Sequence, residues 1–196
     1  MLSTQCEETA RLIAERACQL GIRIGCAESL TSGAIATYLG AAPNATEWFA
    51  GGIISYGDDV KRRVLGVRQG PVVTPTCASE MAAGAAALLR VHHAVAVTGV
   101  GGPDSAEGKP PGTVYVGLAT GSRSSAIEIH LAGDPEDVVA ETTYVALRLL
   151  LSRIGGKDLE SRPAPVSPAA ADRDDPDLDL DPEPQDVPLS VAQTVN

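Results

Sequence analysis

A serine, a lysine and a glycine-rich loop are the features of this 196-residue chain best suited to chemistry. The serine sits in Cys26-Ala27-Glu28-Ser29-Leu30-Thr31-Ser32-Gly33, where an apolar run gives way to hydroxyls and glycine. That pattern predicts a strand ending in a turn that opens a helix. Ligands collect at the carboxyl ends of strands in open α/β sheets, and the unpaired N–H groups of a helix's first turn favour an anion or a developing oxyanion. The same hydroxyls would also serve as simple helix caps. The lysine sits in Ser55-Tyr56-Gly57-Asp58-Asp59-Val60-Lys61-Arg62-Arg63. Taken alone, Lys61 reads as a solvated charge on a short helix. A lysine acts as a general base only where desolvation or nearby positive charge brings its amine towards neutrality. The loop is Thr98-Gly99-Val100-Gly101-Gly102-Pro103-Asp104, followed by Lys109-Pro110-Pro111-Gly112. Its exposed backbone N–H groups suit a phosphate or a ribose, and it is equally well read as a long connection between strands.

Other chemistries are excluded by pattern. The serine is not in a GxSxG elbow, so that hydrolase template does not apply. The glycine loop runs on into a strand and not a helix, which rules out a dinucleotide fingerprint, and there is no GxxxxGK[ST]. His92, His93 and His130 are scattered and read as sheet-edge residues. Cys6, Cys18, Cys26 and Cys77 form no CxxC pair and read as buried, reduced thiols of a cytoplasmic protein. No ligand cluster for a metal stands out, so neither metal nor cofactor is expected. No paired carboxylates suggest glycosidase chemistry.

The elements that must position these groups follow from periodicity. Residues 5–20 place Leu12, Ile13, Ala17 and Leu20 on one helical stripe that Gly21 ends. Residues 22–27 read as a buried strand, 34–40 as helix, 50–56 as strand and 57–67 as a short helix. An Ala-rich helix spans 76–90, opening with Thr76 and Ser79-Glu80. Strands follow at 92–99, 113–120 and 125–132, the last two paired across Gly121-Ser122, and a final helix runs from Asp134 to about Arg153. Strands alternating with helices, plus one hairpin, predict an α/β fold: a three-layer domain with a mixed central sheet and helices on both faces.

Charge divides the chain in two. Of 25 acidic and 15 basic residues, ten and three fall in residues 155–196, which also hold seven of the fourteen prolines. Residues 155–196 are therefore expected to be a disordered acidic, Pro-rich tail, and residues 1–154 the domain. A body with nearly balanced charge lacks the clustered Lys/Arg of a nucleic-acid surface. No apolar run is long enough for a membrane helix, and the N-terminus lacks the basic start and unbroken apolar run of a secretory signal.

Taken together, AESLTSG (27–33), GGIISYGDDVKRRVLGV (51–67), MAAGAAALL (81–89) and AVTGVGGPD–KPPGTVYVGLA (96–119) resemble one family, the C-terminal domain of competence/damage-inducible protein CinA. Its members include stand-alone nicotinamide-nucleotide amidohydrolases, and the resemblance covers about residues 5–153. It implies metal-free hydrolysis of the carboxamide of nicotinamide mononucleotide to nicotinic acid mononucleotide and ammonia by a serine–lysine pair. Carried over motif by motif, it makes Ser29 the nucleophile and Lys61 its base. It makes Glu28, Thr31, Ser32, Gly33, Thr46, Tyr56, Thr98, Gly99, Gly101 and Gly102 substrate-binding residues. Helix N–H groups near Thr31–Gly33 would then hold the oxyanion. It further implies self-association as a homodimer or larger assembly.

The chain departs from the family in three places. Ser32 replaces the second glycine of the family's TGG. Pro43-Asn44-Ala45-Thr46 stands where the family has PGSS or PGAS. Pro135 and Val139 occupy positions where the family carries arginines suited to a phosphate, with Arg62, Arg123 or Lys109 as the available substitutes. The second reading is therefore a catalytically silent nucleotide-binding or assembly protein of the same fold.

Overall fold

The structure, a computed structural model, describes residues 2–155. The expected tail, apart from Gly155, lies outside the described residues. Five strands form one mixed sheet: β1 (Ile24–Glu28), β2 (Phe49–Ile54), β3 (His93–Gly99), β4 (Thr113–Thr120) and β5 (Arg123–His130). Their order is β2-β1-β3-β4-β5. Strand β1 runs parallel to both β2 and β3, while β3, β4 and β5 are antiparallel in turn. Helices α1 (Leu2–Leu20), α2 (Ala34–Ala41), α3 (Ala45–Trp48) and α6 (Pro135–Gly155) pack with one face. Helices α4 (Asp58–Leu65) and α5 (Pro75–Leu89) belong to the other. The expected three-layer α/β architecture is the one observed.

Strand alternation decides how the two faces differ. Side chains point to opposite faces with a period of two. Ile24, Cys26, Val95, Val97, Val116 and Leu118 therefore enter the core under α1 and α6. Ala27, Ala94, Ala96 and Ala119 face the Ala-rich α5. Small residues on both sides let that helix lie close against the sheet. A Cβ on Gly117 would collide with the Ala78 carbonyl, and one on Gly84 with the Leu65 carbonyl. One on Gly25 would stand 2.5 Å from Leu89 Cδ1.

Element boundaries moved for identifiable reasons. Helix α1 begins at Leu2 rather than at residue 5. Helix α5 begins at Pro75, with the Thr74 hydroxyl accepting from the Cys77 N–H at 3.1 Å, because proline at the first helical position needs no N–H partner. Helix α3 was not expected; Asn44, at φ 55°, turns the chain into it. Strand β5 starts at Arg123, directly after the Gly121-Ser122 turn and two residues earlier than its pattern suggested. Helix α6 opens with the Asp134 carboxylate accepting from the Glu136 and Asp137 N–H groups, both at 3.0 Å.

Two smaller expectations need correction. Cys6, Cys26 and Cys77 are buried, but Cys18 is exposed; all four are free thiols. His130 does lie on an edge strand, whereas His93 sits at the amino end of the central strand β3. Among the described residues, no helix is long and apolar enough to cross a membrane.

Candidate active site

The carboxyl ends of β1, β2 and β3 lie at one edge of the sheet, and the chain leaves each of them through a segment already singled out by sequence. After β1 come Ser29 to Gly33, after β2 come Ser55 to Gly57 and α4, and after β3 comes the glycine loop. These segments enclose a cleft of about 390 Å³ whose walls include Ser29, Tyr56, Lys61, Thr98, Gly99, Gly101 and Gly102. This placement follows the general rule for open α/β sheets.

Lys61 is the least ordinary of these residues, because it is only 1% exposed although it sits on a helix rich in charge. Gly57 and Asp58 start α4 so that Lys61 falls on its inner side, while Arg63 projects outward to pair with Asp59 at 2.6 Å. The buried amine donates to the Tyr56 carbonyl at 2.9 Å and lies 3.5 Å from Asp58 Oδ1. A solvated surface lysine is therefore not what the chain contains. Beside it, burial pushes the Cys77 thiol up to about 11, against the opposing pull of the Lys61 charge.

Ser29 is 8% exposed at the carboxyl end of β1. Its hydroxyl makes no hydrogen bond with another of the described residues, and the Lys61 amine is bonded to the Tyr56 carbonyl and near Asp58 instead. Catalytic hydrogen bonds are often loose before substrate arrives. Thr98 is buried in the wall and donates from Oγ1 to the Val72 carbonyl at 2.9 Å, tying β3 to the segment before α5. Tyr56 stands at the mouth, 69% exposed.

Glu28 does something the sequence did not reveal. The carboxylate is 0% exposed and lies outside the cleft lining. It accepts from the Thr31 hydroxyl at 2.6 Å and from the backbone N–H groups of Gly33, Ile35 and Ala36 at 2.9, 3.2 and 2.8 Å. These are the orphan donors of α2, which therefore begins on a buried carboxylate from the preceding strand and not on a hydroxyl cap. Glu28 and Thr31 thus hold the turn that carries Ser29, and neither lines the cleft.

The same bonds correct the expected oxyanion donors. The Ser32 N–H is spent on the Ser29 carbonyl at 3.1 Å, and the Gly33 N–H on Glu28. The N–H groups of Leu30 and Thr31 have no partner among the described residues. Ser32 adopts φ 51° and Gly33 φ 108° to form this turn, the left-handed region in which Ser32 costs about 1–2 kcal/mol more than glycine. Neither lines the cleft.

Thr46 is not at the site. It is exposed on α3, which leads into the first residue of β2; Phe49 there is paired with Ile24, at the opposite ends of the parallel strands from the cleft. The three possible substitutes for the family arginines are also elsewhere. Arg123 begins edge strand β5, Arg62 donates to the Gly70 carbonyl at 3.2 Å, and Lys109 lies over the Tyr115 ring at 5.9 Å. None lines the cleft.

Two acids that sequence reading passed over do line it. Asp58 approaches Lys61, a pairing foreshadowed by its place three residues earlier on the same helix. Glu107, from the glycine loop, accepts from the Val72 and Val73 N–H groups at 2.9 and 2.7 Å and fastens the loop over the cleft. Nothing in the local sequence marks that long-range contact.

A family model described as the CinA C-terminal domain matches residues 6–154. A competence-damage inducible protein of Bacillus subtilis is 39% identical over 142 residues, 70% of this chain and 34% of that protein. The chain thus spans about a third of the length of that curated relative. Among solved structures, the competence damage-inducible protein A of Klebsiella pneumoniae superposes with a TM-score of 0.74 at 32% identity, covering 76% of this chain and 96% of that one. A CinA superfamily protein of Escherichia coli gives 0.73 at 31%, covering 76% and 90%.

Proposed function

Because the chain belongs to the CinA C-terminal domain family, we propose that it is an amidohydrolase that cleaves the carboxamide of nicotinamide mononucleotide or a closely related pyridine compound with Ser29 and Lys61. The observation that carries this reading is the burial of Lys61 in the wall of the cleft that also presents Ser29. A lysine held away from solvent in a cleft shared with a serine at a strand end supports a Ser–Lys pairing of nucleophile and base.

In this reading Lys61 takes the Ser29 proton as Oγ bonds to the amide carbon. The carbonyl electron pair moves onto oxygen, and free N–H groups at Leu30 and Thr31 receive the charge; one such donor is typically worth about 3–4 kcal/mol. Collapse of the tetrahedral species breaks the C–N bond, and Lys61 returns the proton to the departing ammonia. Water then attacks the Ser29 ester, giving the carboxylate and restoring the serine. No metal enters any of these steps. Self-association as a homodimer or larger assembly is part of the same proposal.

The test is ammonia release from nicotinamide mononucleotide, with Ser29→Ala as the blank. An acyl adduct on the peptide containing Ser29, seen by mass spectrometry after rapid quenching, would support the covalent route. Release that survives in Ser29→Ala would overturn it. Binding without any release would favour the silent nucleotide-binding reading.

A further inference from the structure

We propose that Asp58 is a positioning residue for the base: its carboxylate fixes the direction of the Lys61 amine and favours its protonated form, so that Asp58 decides the pH at which Lys61 can accept the Ser29 proton. This rests on the amidohydrolase reading above, in which the proton on Lys61 has its use.

The Lys61 amine reaches two acceptors, the Tyr56 carbonyl at 2.9 Å and Asp58 Oδ1 at 3.5 Å. A neutral amine has two N–H donors and one lone pair, whereas an ammonium has three donors and nothing to accept with. In the neutral form both donors are thus engaged. The lone pair is left as the one unspent direction, in a cleft that Lys61 shares with Ser29. Transfer breaks the Ser29 O–H bond and forms the third N–H bond, so the new positive charge appears 3.5 Å from a carboxylate. Before transfer the same carboxylate works against the free base. Burial of Lys61 disfavours a charge on the amine, and an anion at that distance favours it.

The other charged and titratable groups around Lys61 are engaged elsewhere. Arg62, next on α4, donates to the Gly70 carbonyl and lies 3.9 Å from the other Asp58 oxygen. Asp59 pairs outward with Arg63 at 2.6 Å and lies outside the cleft lining. From α5, Cys77 stands near Lys61 as a thiol that burial keeps protonated, and Glu80 pairs with Arg68. From the glycine loop, Glu107 lines the cleft with both oxygens taken by the Val72 and Val73 N–H groups. On the other face of the sheet, Glu28 is spent on α2. Among the described residues, Asp58 is therefore the carboxylate within ion-pair range of the amine.

The test compares the full-length chain with Asp58→Asn, Asp58→Ala and Asp59→Asn. Asparagine keeps an acceptor oxygen and loses the charge, whereas alanine loses both. Asp59→Asn removes the same charge from the same helix turn without touching Lys61. The first readout is the pH dependence of ammonia release from nicotinamide mononucleotide, the substrate's own titration being common to all four proteins. The rising limb should move about one pH unit lower in Asp58→Asn, with plateau kcat within about threefold of the unmodified chain. Asp58→Ala should show the same displacement with a plateau about tenfold lower or more, because the amine is no longer aimed. Asp59→Asn should leave the limb where it was, since that pair is exposed and screened.

The second readout needs no turnover. Lys61, Lys109 and Lys157 are the three lysines of the chain, so carbon-13 labelling of lysine side chains follows the Lys61 amine directly, its signal identified by its loss in Lys61→Met. That signal should titrate at lower pH in Asp58→Asn, by the same amount as the limb. No displacement in Asp58→Asn, or an equal one in Asp59→Asn, would overturn the inference. An Asp58→Ala plateau equal to that of Asp58→Asn would overturn the part given to direction. Absence of ammonia from every protein would sink the hydrolase reading, and the lysine titration would still decide whether Asp58 governs the amine.

Discussion

Lys61 and Glu28 are both buried polar side chains, yet they are held by opposite means, and substitution should separate their roles. Lys61 has two partners, a carbonyl and an aspartate, at the edge of a cleft. Lys61→Met keeps most of the packed stem and removes the amine. It should lower kcat about 100-fold or more, the range of general-base catalysis, while the melting temperature holds or rises. A parallel loss of folding would show that the amine is structural. Glu28 has five donors, the Cys26 thiol among them, and is shut off from solvent. Glu28→Gln turns an amide group towards N–H donors, so stability should fall by about 2–3 kcal/mol, read as a shift in the urea midpoint. A stability loss under about 0.5 kcal/mol would mean that the carboxylate is not what starts α2.

At the scale of elements, the tightest joint is α5 on the sheet. Gly117 lies in β4 against the Ala78 carbonyl of α5, a backbone atom with no freedom to turn aside. Gly117→Ala must push the helix outward and should cost about 1–3 kcal/mol, as other overpacked cores do. Because α5 follows the Val72–Val73 segment that Glu107 and Thr98 hold against the cleft, that shift should also raise KM. By contrast, Gly121→Ala faces open space at the β4–β5 turn, so it disturbs only the left-handed backbone there, and KM should stay unchanged. Equal effects on KM from the two substitutions would refute the link between helix seating and the cleft.

For the molecule as a whole, the titrations that matter to stability lie at the end of the sheet away from the cleft. Burial, helped by the charges of His92 and Arg153, holds His93 down at about 4, and its Nδ1 lies 3.1 Å from the Thr120 hydroxyl. Burial also lowers His92. An unfolded chain binds these protons near pH 6.5, whereas the folded chain refuses them until lower pH. Stability is therefore full above about pH 6.5 and falls as pH drops towards 4, by up to about 3 kcal/mol for His93. Chemical denaturation at pH 7 and pH 4.5 measures this fall. His93→Gln should flatten the pH dependence, and an unchanged slope in that variant would assign the loss to other groups.

The periodicities alone determined the α/β class, five of the six helices and all five strands, because an apolar stripe or alternation is a local consequence of which face must be buried. They also placed Ser29 and the glycine loop at strand ends and Lys61 on the short helix that follows a strand, where the structure finds them. What they could not supply was the partner of each polar group. Lys61 looked like a surface charge because its helix is polar almost throughout, and only the packing of α4 beside the β2 exit buries it. The hydroxyls after Ser29 looked like caps, but the donors of α2 are taken by a carboxylate that β1 delivers from below. Thr46 lay in a motif next to the site in sequence order, yet the parallel β1–β2 pairing puts it at the far end of the sheet. Glu107 reaches residues 72 and 73 across about 35 positions of chain. Burial of a stripe is encoded by neighbours along the chain, whereas the company of a charge is set by whichever segments the sheet order brings together.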